Sequence, residues 1–297
     1  HRNTRRQRQM CIRDSNTMTE EKKQMRSPIE TGCPDGFQYM HPTMRKNFGQ
    51  WKYHEHPKSG VLRHVAESGE EIWTVRAGTQ RILDVFTLRK LCDIGDKYAD
   101  GYVRFTIRSN IEYMVKDASK VDPLIEELNK EGFIVGGTKN SVAMISHTQG
   151  WLHCDIPGTD ASGVVKAMMD ELIDEFKGNE MPNRVHITTS CCQINCGGQG
   201  DIAINIQHTK PPKINHDLVS NVCERPSVVA RCPVAAIRPA MVNGKPSLEV
   251  DEKKCICCGA CYPPCPPMQI NDPEHSKLAI WVGGNHSNAR GKPTFQK

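Results

Sequence analysis

The chain lacks several features that would each assign a class at once. No apolar run approaches the roughly 18 residues of a membrane-spanning helix, and no basic start leads into a short apolar export segment. Insertion into a membrane is therefore not expected. Gly136-Gly137 and the Gly-Gly-Gln-Gly at 197–200 match neither the dinucleotide fingerprint nor the Walker loop, so nucleotide binding has no support. No repeat recurs at solenoid periods. Excess charge is also missing once it is located. The formal charge is +5, but residues 1–17 hold Arg2, Arg5, Arg6, Arg8 and Arg13 against Asp14, which leaves 34 basic against 33 acidic residues elsewhere. No nucleic-acid partner is expected from such a balance.

What remains is ordinary in bulk. With 297 residues, 37% hydrophobic and 25% charged, the chain is long enough for about two globular domains. Residues 1–17 show no periodicity and read as an extraneous or disordered tail before a natural start at Met18. From Glu71 the pattern becomes regular. Residues 72–76 alternate as a strand, and 85–99 carry Leu88, Leu91 and Ile94 at helical spacing. Residues 102–108 and 111–115 read as strands. Asp122-Pro123 reads as the N-cap and first turn of a helix that Gly132 ends. Residues 142–146 form a further strand. A long helix runs from Asp160 to Phe176, with Val164, Met168, Leu172 and Phe176 in one stripe and Gly178 closing it. Strands follow at 184–189 and 201–207. The order is that of an α+β fold built on ferredoxin-like split βαβ units, with helices on one face. Residues 210–217 read as a linker. The Pro- and Cys-rich stretch beyond them has too few apolar patterns for much of a core, so an inorganic cluster would organise it. Strand character resumes at 277–284, and the end at Gly291–Lys297 has no structural logic of its own.

Cysteine is the informative residue. Of 14 cysteines, most lie after residue 190 in tight groups, which suits converging thiolates in a reducing compartment better than disulfide staples. Cys255-x2-Cys258-x2-Cys261-x3-Cys265-Pro266 is the bacterial iron–sulfur run, whose fourth cysteine serves the other cluster of a two-cluster ferredoxin. Only one such trio is present, and Cys232-Pro233 upstream supplies the matching Cys-Pro. Cys232, Cys255, Cys258 and Cys261 are therefore read as the ligands of one [4Fe–4S] cluster, with Cys257 and Cys265 as spares. A zinc ribbon would need two paired knuckles, which are absent. The second group is Cys191-Cys192-x3-Cys196-Gly197-Gly198, with Cys154 upstream, four sulfurs that would meet over a second cluster. Cys33, Cys92 and Cys223 have no ligand spacing and read as ordinary, and Cys11 belongs to the tail. His147 and His153 read as structural.

The segment Cys192-Gln193-Ile194-Asn195-Cys196-Gly197 resembles the cofactor motif of sulfite and nitrite reductases, and residues 103–110 resemble that family's arginine-bearing strand. With HTQGWLHC (147–154), TTSCCQINCGG (188–198) and RCPVAAIRPA (231–240), the likeness extends from Ile29 onward to the beta subunits of dissimilatory sulfite reductases. It implies a domain order: residues 18–120 as an N-terminal α+β domain, 121–215 as the cofactor-binding domain resuming at 281–297, and 216–280 as an inserted ferredoxin-type domain.

The resemblance also implies a sirohaem and two [4Fe–4S] clusters. One cluster would be held by Cys154, Cys191, Cys192 and Cys196, with Cys196 bridging to the haem iron, and the ferredoxin domain would be the electron entry. Single-chain relatives pair two of these cysteines at C-x5-C; neither Thr148 nor Asp160 partners Cys154, so Cys191 takes that place. Sulfite and the polycarboxylate macrocycle call for cations. By resemblance these are Arg76, Arg104, Arg108, Lys210 and Lys213, with Asn110 beside the cofactor. Arg104 and Arg108, four apart, would share a strand face. Gly150 stands where single-chain relatives carry a substrate arginine. Substrate cations would then come from an alpha partner, while this chain's arginines face the partner's cofactor. The implied assembly is a cytoplasmic α2β2 heterotetramer. It would interconvert sulfite and sulfide, exchange sulfur with a small carrier protein ending in cysteines, and exchange electrons with a membrane complex. The wording of residues 191–204 is closer to the sulfur-oxidising type. Rival readings are an electron-transfer subunit without haem chemistry, which the Cys191–Cys196 group opposes, and an assimilatory reductase fragment, which the inserted ferredoxin run opposes.

Overall fold

The computed structural model describes residues 36–178, 181–197, 200–270 and 276–283. The tail reading, Cys11, Cys33, Gly198 and most of 281–297 lie outside them. Chain contacts separate residues 1–40 from residues 41–297. Of the first unit, the described part is a single 3-10 turn at Gly36–Tyr39.

After a one-turn helix α1 (Pro42–Lys46), five strands form one antiparallel sheet in the order β1-β2-β3-β5-β4: β1 (Trp51–Lys58), β2 (Val61–Ala66), β3 (Glu71–Gly78), β4 (Val103–Phe105) and β5 (Asn110–Val115). Between β3 and β4 runs α2 (Val85–Tyr98), capped by the Asp84 carboxylate, which accepts from Thr87 N–H at 2.7 Å. Leu91 and Ile94 are buried as expected, whereas Leu88 is exposed. After β5, α3 (Val121–Lys130) begins two residues earlier than an N-cap at Asp122 would place it: Asp122 lies within the first turn, and Asp117 caps a short 3-10 turn that leads into the helix. One face of the sheet packs Val61, Val75, Ile111 and Tyr113 against Leu91, Leu124 and Leu128. The strand expected over 102–108 stops at Phe105. Ser109 has φ 54°, Ile107 is 90% exposed, and Thr106–Ser109 is a turn.

The second layer holds β6 (Ser146–His147), α4 (Ala161–Glu171), α5 (Ile173–Lys177), β7 (Ile187–Ser190) and β8 (Ile202–His208). The strand expected at 142–146 shrinks to β6 plus a lone bridge, Val142 to Val185. Asp160 caps α4 through Ser162 N–H at 3.0 Å, and the helix breaks at Leu172 before ending at Gly178. Its buried stripe is Val165, Met169 and Phe176, one position round from the stripe read at Val164. β6, β7 and β8 pair in parallel.

Residues 210–217 are not a linker. They contain β9 (Lys213–Ile214), and helices α6 (His216–Val222) and α7 (Arg225–Arg231) follow directly. A hairpin, β10 (Ile237–Val242) and β11 (Lys245–Val250), and β12 (Met268–Gln269), which pairs with β9, complete a compact module. Contrary to expectation it has its own apolar core: Val219, Val228, Ile237, Leu248 and Met268 are all buried. Cys223 and Cys265, read as ordinary and spare, form a disulfide within it. Finally β13 (Ser276–Val282) returns and pairs antiparallel with β8. Among the described residues no helix is long and apolar enough to cross a membrane.

Candidate functional site

The turn after β7 carries Cys191, Cys192 and Cys196, and the 3-10 turn at Gly150–Leu152 delivers Cys154. Backbone bonds hold the two turns together. Cys191 N–H donates to Thr148 Oγ1 at 2.8 Å, Gly158 N–H donates to the Cys191 carbonyl at 2.7 Å, and Ser190 Oγ donates to Asn195 Oδ1 at 2.6 Å. The four cysteines line one cavity of about 350 Å³. The Cys191 thiol is pulled well down by hydrogen bonds from Cys192, the Thr148 hydroxyl and the Gly150 N–H. Its neighbour Cys192 is pushed up, because its thiol donates that bond and is buried.

Gly150 explains why no arginine stands there. Its φ is +56°, and a Cβ would lie 2.6 Å from the Ala161 backbone nitrogen. Any side chain would strain the turn and displace the N–H that serves Cys191.

A larger cavity of about 650 Å³ adjoins the first. Thr79, Arg81, Thr106, Arg108 and Ser109 are among its lining residues. Cys196, His147 and Arg81 line both cavities, so the exposed Cys196 thiol stands at their common wall. Arg81 donates to the His147 carbonyl. The His147 ring, read as structural, bonds Ser162 Oγ through Nε2 at 3.3 Å, and its buried Nδ1 has no partner among the described residues. Lone residues such as Arg81 and His147 carry no spacing signal, which is why sequence reading passed over them as site residues.

Of the cations chosen from sequence, Arg108 reaches the larger cavity. It is 9% exposed, with Nη1 3.5 Å from the Ile187 carbonyl. Arg76 and Arg104 do not line either cavity. They grip Glu112, which is fully buried on the sheet face turned away from α2 and α3; each Nε lies 2.7 Å from a carboxylate oxygen. Arg104 and Arg108 do not share a strand face, because β4 ends between them and the alternation of sides ends with it. Asn110 is buried at the start of β5, where its backbone bonds Thr106; its Oδ1 has no partner among the described residues. Lys210 and Lys213 are exposed and lie outside both cavities.

In the module, Cys232, Cys255, Cys258 and Cys261 line one narrow apolar cavity. Two of the sulfurs accept backbone N–H bonds: Cys232 from Ala236 at 3.2 Å and Cys255 from Cys257 at 3.4 Å. Cys257 is outside the lining, in a left-handed conformation with φ 57°. Among the described residues no three His, Cys, Asp or Glu side chains gather around one point as a single ion requires. Both cysteine sets surround a space instead, an arrangement that suits a polynuclear iron–sulfur group.

A model of the nitrite/sulfite reductase ferredoxin-like half domain matches residues 64–131, and one of the nitrite and sulphite reductase 4Fe-4S domain matches residues 138–297. The chain thus belongs to the nitrite and sulfite reductase family and is an oxidoreductase subunit. It is 48% identical to "Sulfite reductase, dissimilatory-type subunit beta" of Archaeoglobus fulgidus over 267 residues, covering 87% of this chain and 72% of that one. The protein of the same name from Nitratidesulfovibrio vulgaris is 42% identical over 273 residues, covering 88% and 72%. Within the family the chain falls with the dissimilatory-type beta subunits. A crystal structure of dissimilatory sulfite reductase I shares the fold, with TM-score 0.72 at 16% identity over 88% of this chain and 71% of that one.

Proposed function

We propose that this chain is the beta half of a dissimilatory sulfite reductase, catalysing the six-electron interconversion of sulfite and sulfide-level sulfur at a coupled sirohaem–[4Fe–4S] centre. The observation that carries the reading is the place of Cys196, on the wall shared by a four-cysteine cavity and a larger polar, arginine-bearing one. Bound there, the paired group would supply single electrons to the iron that holds the substrate. This chain's own residues do the rest. Cys154, Cys191, Cys192 and Cys196 would hold the cluster. Arg108 and Arg81 would meet carboxylates of the macrocycle, and Thr106 and Ser109 offer hydrogen-bonding groups in the same cavity. Cys232, Cys255, Cys258 and Cys261 would hold a second cluster as the entry for electrons.

Arg76 and Arg104, fixed by Glu112 outside both cavities, are the cations assigned to the cofactor of an alpha partner. Asn110, Lys210 and Lys213 line neither cavity, and no contact with this chain's own cofactor is proposed for them. The assembly is taken as a cytoplasmic α2β2 heterotetramer that passes sulfur to a small carrier protein with C-terminal cysteines and exchanges electrons with a membrane complex. The oxidative direction is favoured by the wording of residues 191–204.

The test is the visible spectrum with iron and acid-labile sulfide counts of the chain produced anaerobically with its alpha partner. Sirohaem bands with about eight non-haem irons as the beta chain's share are expected. About four irons without haem bands would leave an electron-transfer subunit. In the same preparation Arg108→Ala is expected to lower cofactor retention more than sulfite affinity, and unchanged cofactor content would remove Arg108 from the site.

A further inference from the structure

One residue ties the two cysteine sites together. The Ile156 N–H is directed at the Cys154 sulfur, and its carbonyl accepts a hydrogen bond from His208 Nε2 at 3.1 Å. Its side chain, 5% exposed, packs in one apolar cluster with Cys191, Cys192 and Ile270. Ile270 in turn lines the cavity of the module cysteines. From the module side, Gly259 lies between Cys258 and Cys261 with φ +77°, and a Cβ placed on it would stand 3.2 Å from Ile156 Cδ1. Tyr262, next to Cys261, packs against the same cluster. The contact therefore runs without a break from the Cys154 turn to the Cys258–Cys261 loop. Glycine at 259 lets that loop lie directly on Ile156.

We infer that this seam is the path by which single electrons pass between the two cysteine-held groups, and that Ile156 is the positioning residue that sets their separation. The inference rests on the function proposed above for a redox group at each end. One electron leaves a reduced group on the module side and enters an oxidised one on the Cys196 side; no bond forms or breaks. Electron tunnelling weakens steeply across unfilled space, and a close-packed apolar seam leaves no gap for water. The Ile156 N–H faces the Cys154 turn while its Cδ1 faces the Cys258–Cys261 loop, so one residue touches both sites.

Ile156→Val removes only the Cδ1 carbon that faces Gly259, a loss that folded cores tolerate. The chain assembled with its alpha partner, with cofactors loaded, is given one electron by flash photoreduction from a deazaflavin. Transfer of that electron from the module's EPR signal to the second centre is then followed by rapid freeze-quench. Ile156→Val is expected to slow the transfer several-fold and Ile156→Ala more, with iron, sulfide and the equilibrium EPR signals unchanged. Ile187→Val, on β7 in a separate apolar core, should leave the rate alone. Should Ile156→Ala lose a centre, the valine variant alone decides. Wild-type rates in a fully loaded Ile156→Val, or equal slowing by Ile187→Val, would overturn the inference. A wild-type protein with a single iron–sulfur centre would overturn the proposed function itself, and the iron and sulfide counts show that before any rate is measured.

Discussion

Cys196→Ser is expected to leave a folded, iron-containing protein that has lost the coupled centre. Three of the four sulfurs around the smaller cavity remain, and the backbone bonds that shape the turn do not use the Cys196 side chain. The thiol itself is the one sulfur shared by both cavities, so its replacement acts where two groups would meet. Partners outside a metal's coordination shell already cost about 10–100-fold in affinity or activity when removed. Loss of a direct ligand should therefore lower sulfite turnover by more than about 100-fold. The spectrum separates this from misfolding: haem bands should shift or vanish while the module's EPR signal stays. Cys192→Ser is the contrasting variant. Cys192 is buried, lines only the smaller cavity and donates a hydrogen bond to Cys191, so its loss should cost cluster content first. If Cys196→Ser keeps both the coupled spectrum and turnover, the common-wall reading fails.

The parts of this fold that could be read ahead of the structure are those whose signals are local. The helices α2 and α4 were legible because their apolar residues recur at helical spacing, whereas the cap read at Asp122 was misplaced and the carboxylates that do cap helices are Asp84 and Asp160. The cysteine groups were legible for a similar reason: a cluster needs thiolates at short, fixed spacing, and the spacing is written in the chain. What failed was non-local. β1 is exposed along nearly its whole length, so it has no alternation to betray it, and it is a strand only because β2 pairs with it. The disulfide joins Cys223 to Cys265 across 42 residues, a pairing that no spacing rule selects. Arg104 and Arg108 look like one face because alternation continues through Thr106 and Ile107, although the backbone turns there. Arg81 reaches the site only because the loop after β3 meets β6. The charged residues were the least legible of all, since their partners come from other strands.

Glu112 shows what that blindness missed, and its removal should have the largest effect on stability. The carboxylate is fully buried at the centre of the sheet, with Arg76 on β3 and Arg104 on β4 opposite it in register. The two arginines differ in depth: the Arg76 side chain is 15% exposed and that of Arg104 is 55%. Deleting one partner of a buried pair costs about 3–5 kcal/mol, because the remaining charge loses its compensation. Arg104 can turn to solvent, so its share is small, and Arg76 carries most of the penalty. Glu112→Ala should therefore destabilise the five-stranded unit by about 3 kcal/mol, the lower end of that range. Urea unfolding followed by tryptophan fluorescence measures it, since Trp51 and Trp73 lie on strands of this sheet. A companion pair tests the cause. Glu112→Leu combined with Arg76→Met replaces the ion pair by apolar groups and should recover most of the loss, as buried pairs exchanged together often do. A loss below about 1 kcal/mol for Glu112→Ala would mean that the three charges behave as a solvated surface network. A loss that the double replacement does not recover would point to the carboxylate's own packing. If Arg76 and Arg104 serve a partner's cofactor, Glu112 fixes the geometry in which they are presented, and Glu112→Ala should also weaken cofactor retention in the assembled complex while leaving the module's cluster in place.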